Sequence, residues 1–272
     1  MRPHPLLLLT VLGAGLWPVA AEAQTASDKE KEQFLLEGRL VRSHGAAGAA
    51  SPLRATLRLG GVTHEASVQL IDESSPKRAS GSAAEPDSRN SWRNDVAAYR
   101  IDRLLGLRMV PVTVIRPYKA TRAAFTWWQD DFVTTGEGRG DGGEQPPDAE
   151  AWTRQLQAAK LFAQLIHSPE RAEDDLLADR DGHLWMVDHA RAFDGVRGLR
   201  NEKELGDACA RGLLAALRKL DEPTLKTRTG GLLTKGQIDG VLGRRDRIVT
   251  HYDRLIAARG AANVLYDLPA RP

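Results

Sequence analysis

The chain has 272 residues, with 38 Lys and Arg against 36 Asp and Glu and a formal net charge of +2. So close a balance excludes nucleic acid or an anionic membrane surface as a partner held by bulk charge. The single cysteine, Cys209, excludes an internal disulfide, so packing must stabilise the fold.

The first segment is basic at Arg2 and apolar from Leu6 to Val19, and it carries Ala21-Glu22-Ala23 before Gln24. Basic, apolar, then small-x-small is the order of a cleavable secretory signal. The apolar run has 14 residues, interrupted by Gly13, Gly15 and Pro18, whereas a membrane span needs roughly 20. The expectation is a signal peptide over 1–23, cleaved near Ala23, and a periplasmic or secreted mature chain without a transmembrane segment. Arg2 and Glu22 leave together, so the mature charge is unchanged. About 250 residues then remain, enough for one large domain or two lobes.

A polar leader (Thr25 to Lys31) precedes Phe34 to Val41, which alternates in the manner of a strand. His44 to Ser51 reads as a Gly/Ala-rich turn. Leu53 to Leu59 alternates strictly, Gly60-Gly61 marks a hairpin, and Val62 to Ile71 continues as a third strand. Asp72 to Ser91 has no periodicity and reads as a mobile loop. Val96, Tyr99, Ile101, Leu104 and Leu105 then predict a helix that Gly106 ends. Leu107 to Ile115 is strand-like, but Pro111 consigns it to an edge or bulge. Ala123 to Trp128 is another short strand. Residues 24–130 thus form a β-rich lobe with one helix, and 131–148, containing the glycine-rich run at 136–143, form a connector.

Residues 149–272 read as a helical lobe. Asp148 is placed to cap a helix carrying Trp152, Leu156, Ala159, Ala163 and Ile166. A hairpin follows, from Leu176-Leu177 through Asp181-Gly182 to Leu184–Val187. Helices are expected over Glu204 to Leu220, with Cys209 as a small core residue, and over Lys235 to Arg259, closed by Gly260. No H-x-x-x-H, H-E-x-x-H, G-x-S-x-G or P-loop pattern occurs, which argues against zinc hydrolases, serine hydrolases and P-loop enzymes.

Three local patterns, in this order of lobes, resemble the atypical protein kinase-like superfamily: phosphoinositide kinases, HipA-type kinases and secreted Golgi kinases. The first is DVAAYRIDRLLGLRMVP from Asp95 to Pro111. It is similar to the helix and strand that carry the acidic partner of the nucleotide lysine. The second, LIHSPERAEDDLL from Leu165 to Leu177, stands where such proteins have a loop of the form N-x-D-R-x-x-x-N. The third, WMVDHARAF from Trp185 to Phe193, resembles the strand ending in a metal-binding aspartate. A closing helix with Arg244-Arg245-Asp246 is consistent with this. The resemblance covers Leu53 to Leu268. It implies an α+β, two-lobed kinase-like fold, with a small β-rich N-lobe and a larger helical C-lobe.

Phosphoryl transfer is mostly positioning and charge neutralisation, which fixes the parts to look for. The resemblance puts Gln69 at the lysine position, where it can donate a hydrogen bond but brings no charge; Lys77 in the following loop is a remote substitute. Asp95 would be the lysine's partner, although an Asp near a helix start also suits a cap. Glu170 would be the base toward the acceptor, next to Arg171. Asp175 and Asp188 would be metal ligands, both hard oxygen donors suited to Mg²⁺ or another divalent cation. Glu173, Asp174 and Asp175 read equally well as a solvated acidic loop. Trp128, after Trp127, would lie at the lobe junction where an adenine stacks, or close the small core.

A set with acidic ligands and no lysine favours a cation over a polyphosphate, which argues against ATP. The leading expectation is therefore an exported pseudokinase that binds a divalent cation, a small-molecule ligand or a protein partner. An active atypical kinase, phosphorylating exported proteins or small hydroxylated molecules, is the alternative. An envelope scaffold without ligand is the third class, since fold alone does not fix activity.

Overall fold

A computed structural model describes residues 26–45, 52–73, 90–130, 132–134, 148–169 and 176–271. The expected signal peptide, the turn at 46–51, the loop at 74–89 with Lys77, the connector at 135–147 and residues 170–175 lie outside the described residues.

The first described element is a helix, α1 (Asp28–Glu37), where a polar leader and a strand were expected. Ser27 closes a capping box with Glu30, its backbone amide donating to the Glu30 carboxylate at 2.8 Å. Lys31, Phe34 and Leu35 are then three and four residues apart and are buried on one face. Apolar residues at 34–36 are compatible with either period, and the cap decides in favour of helix. Gly38 ends α1 under close packing, because a Cβ there would stand 2.6 Å from the Phe34 carbonyl oxygen.

Five strands form an antiparallel sheet: β1 (Arg39–His44), β2 (Leu53–Leu59), β3 (Val62–Gln69), β4 (Thr113–Tyr118) and β5 (Thr121–Trp127). Their spatial order is β1-β2-β3-β5-β4. Gly60 and Gly61, with φ of 54° and 88°, make the β2–β3 turn as its left-handed geometry requires. On β3, His64, Ala66 and Val68 are buried toward the core, in which Trp127 stacks on His64 at 3.8 Å. Leu107 to Val112 is buried but irregular, and the strand begins at Thr113, whose hydroxyl donates to the Pro111 carbonyl. The expected edge position holds, for β4 ends the sheet.

Helix α2 (Trp92–Leu105) crosses between β3 and β4. Ser91 is its N-cap and Gly106, at φ 72°, its C-cap. The two ends of the segment from Asp72 to Ser91 meet at an isolated bridge between those residues.

The C-lobe begins with α3 (Ala149–Ile166), capped by Asp148, and continues with the hairpin β7 (Leu176–Ala178) and β8 (Leu184–Met186). A two-residue β6 (Val133–Thr134) pairs with β7. The helix expected over Glu204 to Leu220 is shorter. A 3₁₀ turn (Glu202–Leu205) precedes Gly206, at φ 64° against the Gln157 side chain, and β9 (Cys209–Ala210) pairs in parallel with β10 (Leu265–Tyr266). Only then does α4 (Arg211–Lys219) start, followed by α5 (Glu222–Thr229) and α6 (Lys235–Arg259). Cys209 is a core residue as expected, and burial pushes its thiol up to about 12. Arg244 on α6 is fully buried and donates to the carbonyls of Leu165 and Val196. Among the described residues no helix is long and apolar enough to cross a membrane.

Candidate functional site

Between the sheet and the β7–β8 hairpin lies a cavity of about 280 Å³. Its wall includes Gln69, Asp95, Trp128 and Asp188, so four of the seven residues singled out in the sequence share one space. Glu170, Arg171 and Asp175 lie outside the described residues, as do Glu173 and Asp174.

Gln69 ends β3 and is only 6% exposed. Its Oε1 accepts hydrogen bonds from the amides of Leu70 (3.0 Å) and Ile71 (3.1 Å). Those two bonds assign the amide orientation: the carbonyl oxygen is used by the backbone, and the NH₂ group is the end left for a ligand. Gln69 is therefore both a turn-forming residue and a neutral donor.

Asp95 is in the first turn of α2, but Ser91 does the capping, accepting from the Arg93 amide at 3.2 Å. The cap reading of Asp95 is corrected on that ground. Its Oδ1 instead accepts the backbone amide of His189, 2.9 Å away. His189 is buried, with Nε2 3.2 Å from the Met186 carbonyl and its ring edge-on to Phe162. A carboxylate of the small lobe thereby fixes the segment that follows β8.

Asp188 begins that segment. It is exposed on the cavity and adopts φ 54°, a left-handed conformation that aspartate tolerates better than most side chains. Such backbone geometry persists only where neighbours enforce it, and it gathers at functional sites. Phe193, at φ 65°, shares this conformation five positions later. Among the described residues, no hydrogen bond or ion pair engages the Asp188 carboxylate.

The two tryptophans divide their roles. Trp127 is core, edge-on to Phe34 at 5.5 Å and stacked on His64. Trp128 is partly exposed, lies 6.0 Å from Phe132 and carries the Arg54 guanidinium over its ring at 4.1 Å. Arg54 is itself paired with Glu65 at 2.7 Å. Apolar walls from Val110, Leu177 and Met186 complete the space. Gln129, 8% exposed and on the cavity wall, is a further site residue, to which the sequence assigned no role of its own. The only signal for it was its place directly after the tryptophan pair.

Among the described residues that line the cavity there is no lysine or arginine. The exposed Asp188 carboxylate is an oxygen donor of the kind a cation takes, and no described wall residue brings positive charge to a phosphate. A second acidic group, Asp179, Asp181 and His183, offers ligand atoms within 4.8 Å of one another in the β7–β8 turn. Burial raises the Asp179 carboxyl, but hydrogen bonds from His183 and Trp185 outweigh this and hold it below its ordinary range. Those bonds account for the turn without an ion.

No family model and no curated protein matches the sequence. Solved structures do match. The Golgi casein kinase with Mn and ADP bound is 13% identical, covering 90% of this chain and 80% of that one with a TM-score of 0.59. Fam20 from hydra, solved with sugar, is 11% identical, covering 86% and 90% with a TM-score of 0.61. This is an atypical protein kinase-like fold. At so low an identity the kinase-like likeness carries the architecture alone, and the chemistry must be argued from the residues in the cavity.

Proposed function

We propose that the chain is an exported pseudokinase whose lobe-junction cavity binds a cation or cationic ligand rather than transferring phosphate. The observation that carries this reading is Gln69. At the position that the resemblance assigns to the nucleotide lysine, this chain has a neutral amide whose oxygen is committed to two backbone amides. Asp95, the lysine's partner in the resemblance, is likewise engaged elsewhere, on the His189 amide. Losing one preorganised charge-stabilising group costs about 10²- to 10³-fold in rate. Asp188 retains the carboxylate a metal needs, and the likeness to a structure holding Mn and ADP supports a divalent cation there, with Asp175 as its second ligand. The basic, apolar and small-x-small order of residues 1–23 supports export, to a compartment where divalent cations are plentiful.

Thermal denaturation of the mature chain with Mg²⁺, Mn²⁺ or Ca²⁺, each with and without ATP, tests the reading. Stabilisation by a cation alone, lost in Asp188→Ala, is expected. Stabilisation only by the metal–ATP pair, followed by label transfer from γ-labelled ATP that Glu170→Gln abolishes, would establish the active atypical kinase instead. Indifference to every addition would leave an envelope scaffold.

A further inference from the structure

We propose that the lobe-junction cavity is a site for a small aromatic amine. Its ammonium is held at Asp188 and its ring lies among Trp128, Phe132 and Met186. The inference rests on the cation-binding reading above and narrows the ligand to one chemical class.

Charge gives the sign of the ligand. The described wall carries two carboxylates, Asp95 and Asp188, and no lysine or arginine. Asp95 already accepts the His189 amide, so Asp188, exposed and held at φ 54°, is the carboxylate offered to a ligand. The nearby cation, Arg54, is paired with Glu65 and covers the Trp128 ring, which shows that this indole already receives a cation.

Wall chemistry gives the body. Trp128, Phe132, Val110, Leu177 and Met186 supply apolar and aromatic surface around most of the space. A divalent ion alone would leave that surface facing water, whereas a ring would cover it. A volume of about 280 Å³ suits one ring with a short side chain and is small for a nucleotide.

Two buried amides point to a ligand independently of the acids. Gln69 and Gln129 are 6% and 8% exposed and both line the cavity. Gln69 has only its NH₂ end to give, and no hydrogen bond among the described residues engages the Gln129 amide. Both amides border the cavity, so a hydrogen-bonding group on the ring or side chain of the ligand has two places to dock.

The test uses the unmodified mature chain and three probes that differ in charge: 2-phenylethylamine, 2-phenylethanol and phenylacetate, compared by titration calorimetry. The amine should bind about tenfold or more tightly than the alcohol, as a single charge-assisted contact would give, and the acid should not bind. Asp188→Asn should erase the difference between amine and alcohol, while Trp128→Leu should weaken both. Equal binding of amine and alcohol, or none by the amine, overturns the proposal. If Mn²⁺ stabilises the chain in that event, the broader cation-binding reading survives alone; if only metal–ATP does, both fall.

Discussion

The backbone amide of His189 donates to Oδ1 of Asp95 across 2.9 Å, joining the first turn of α2 to the segment that Asp188 begins. The bond links elements 94 residues apart in the chain. Asp95→Ala should destabilise the fold by about 1.5–3 kcal/mol, the usual range for a hydrogen bond to a charged group. Asp95→Asn, which keeps an acceptor, should cost less than Asp95→Ala. Urea denaturation of the three proteins gives the ranking, and an alanine variant as stable as the parent would refute the link.

Gln69 lends itself to a sharper comparison. Its Oε1 serves the amides of Leu70 and Ile71, so Gln69→Lys removes an acceptor from two backbone donors while supplying the missing charge. The lysine variant should lose about 1–3 kcal/mol of stability. Gln69→Glu, which preserves an acceptor, should lose less. If the lysine variant instead matches the parent in chemical denaturation, the two amides do not depend on this side chain.

How much of this was legible in the sequence varied with how local the signals are. The β2–β3 hairpin, the Gly106 stop of α2, and the Asp148 cap of α3 were readable because each rests on residues within one or two turns. Helix α1 was misread because its cap, Ser27 with Glu30, lies ahead of an apolar run that fits two periods. The break at Gly206 was missed because its cause is a side chain 49 positions earlier, Gln157, packed against it. In the site, Gln69, Asp95, Trp128 and Asp188 were legible through the resemblance in the order of the motifs, which tracks tertiary position. Gln129 belongs to none of those motifs, and a buried glutamine looks like a surface one until the opposite wall is known.

Asp102 on α2 is fully buried, with Oδ1 accepting the Met109 amide at 2.9 Å and Oδ2 contacting Arg103. Burial outweighs the arginine and pushes its carboxyl up to about 6 from an ordinary 3.8. The folded state therefore binds this proton more tightly than the unfolded one. Its contribution is fully present below pH 3.8 and is lost as pH rises through about 6. Asp102→Asn should remove that component, so the difference in stability between parent and variant should change across pH 4–6 and be level above pH 7. Denaturant midpoints measured across that range decide it, and a difference constant over the window would contradict the assignment.

Arg271 ties the two lobes together. Its guanidinium donates to the carbonyls of Arg108, before β4, and Leu184, on β8, and to Gln155 Oε1 of α3 at 3.1 Å. It also lies over the Trp185 ring at 4.9 Å. Beside it, the Met186 amide donates to the Met109 carbonyl at 2.9 Å, a direct backbone bond from C-lobe to N-lobe. Only a planar fork of several N–H groups can reach three acceptors at once, so Arg271→Lys should behave nearly like Arg271→Ala. Each should cost about 1–3 kcal/mol, with two carbonyls left short of a donor. The change should be local as well as global: the Met186 amide should exchange its hydrogen faster under native conditions than the amides of β2 and β3, whose pairing does not involve Arg271. Uniform acceleration across both lobes would mean that Arg271 supports the fold as a whole and does not act as a tie between its lobes.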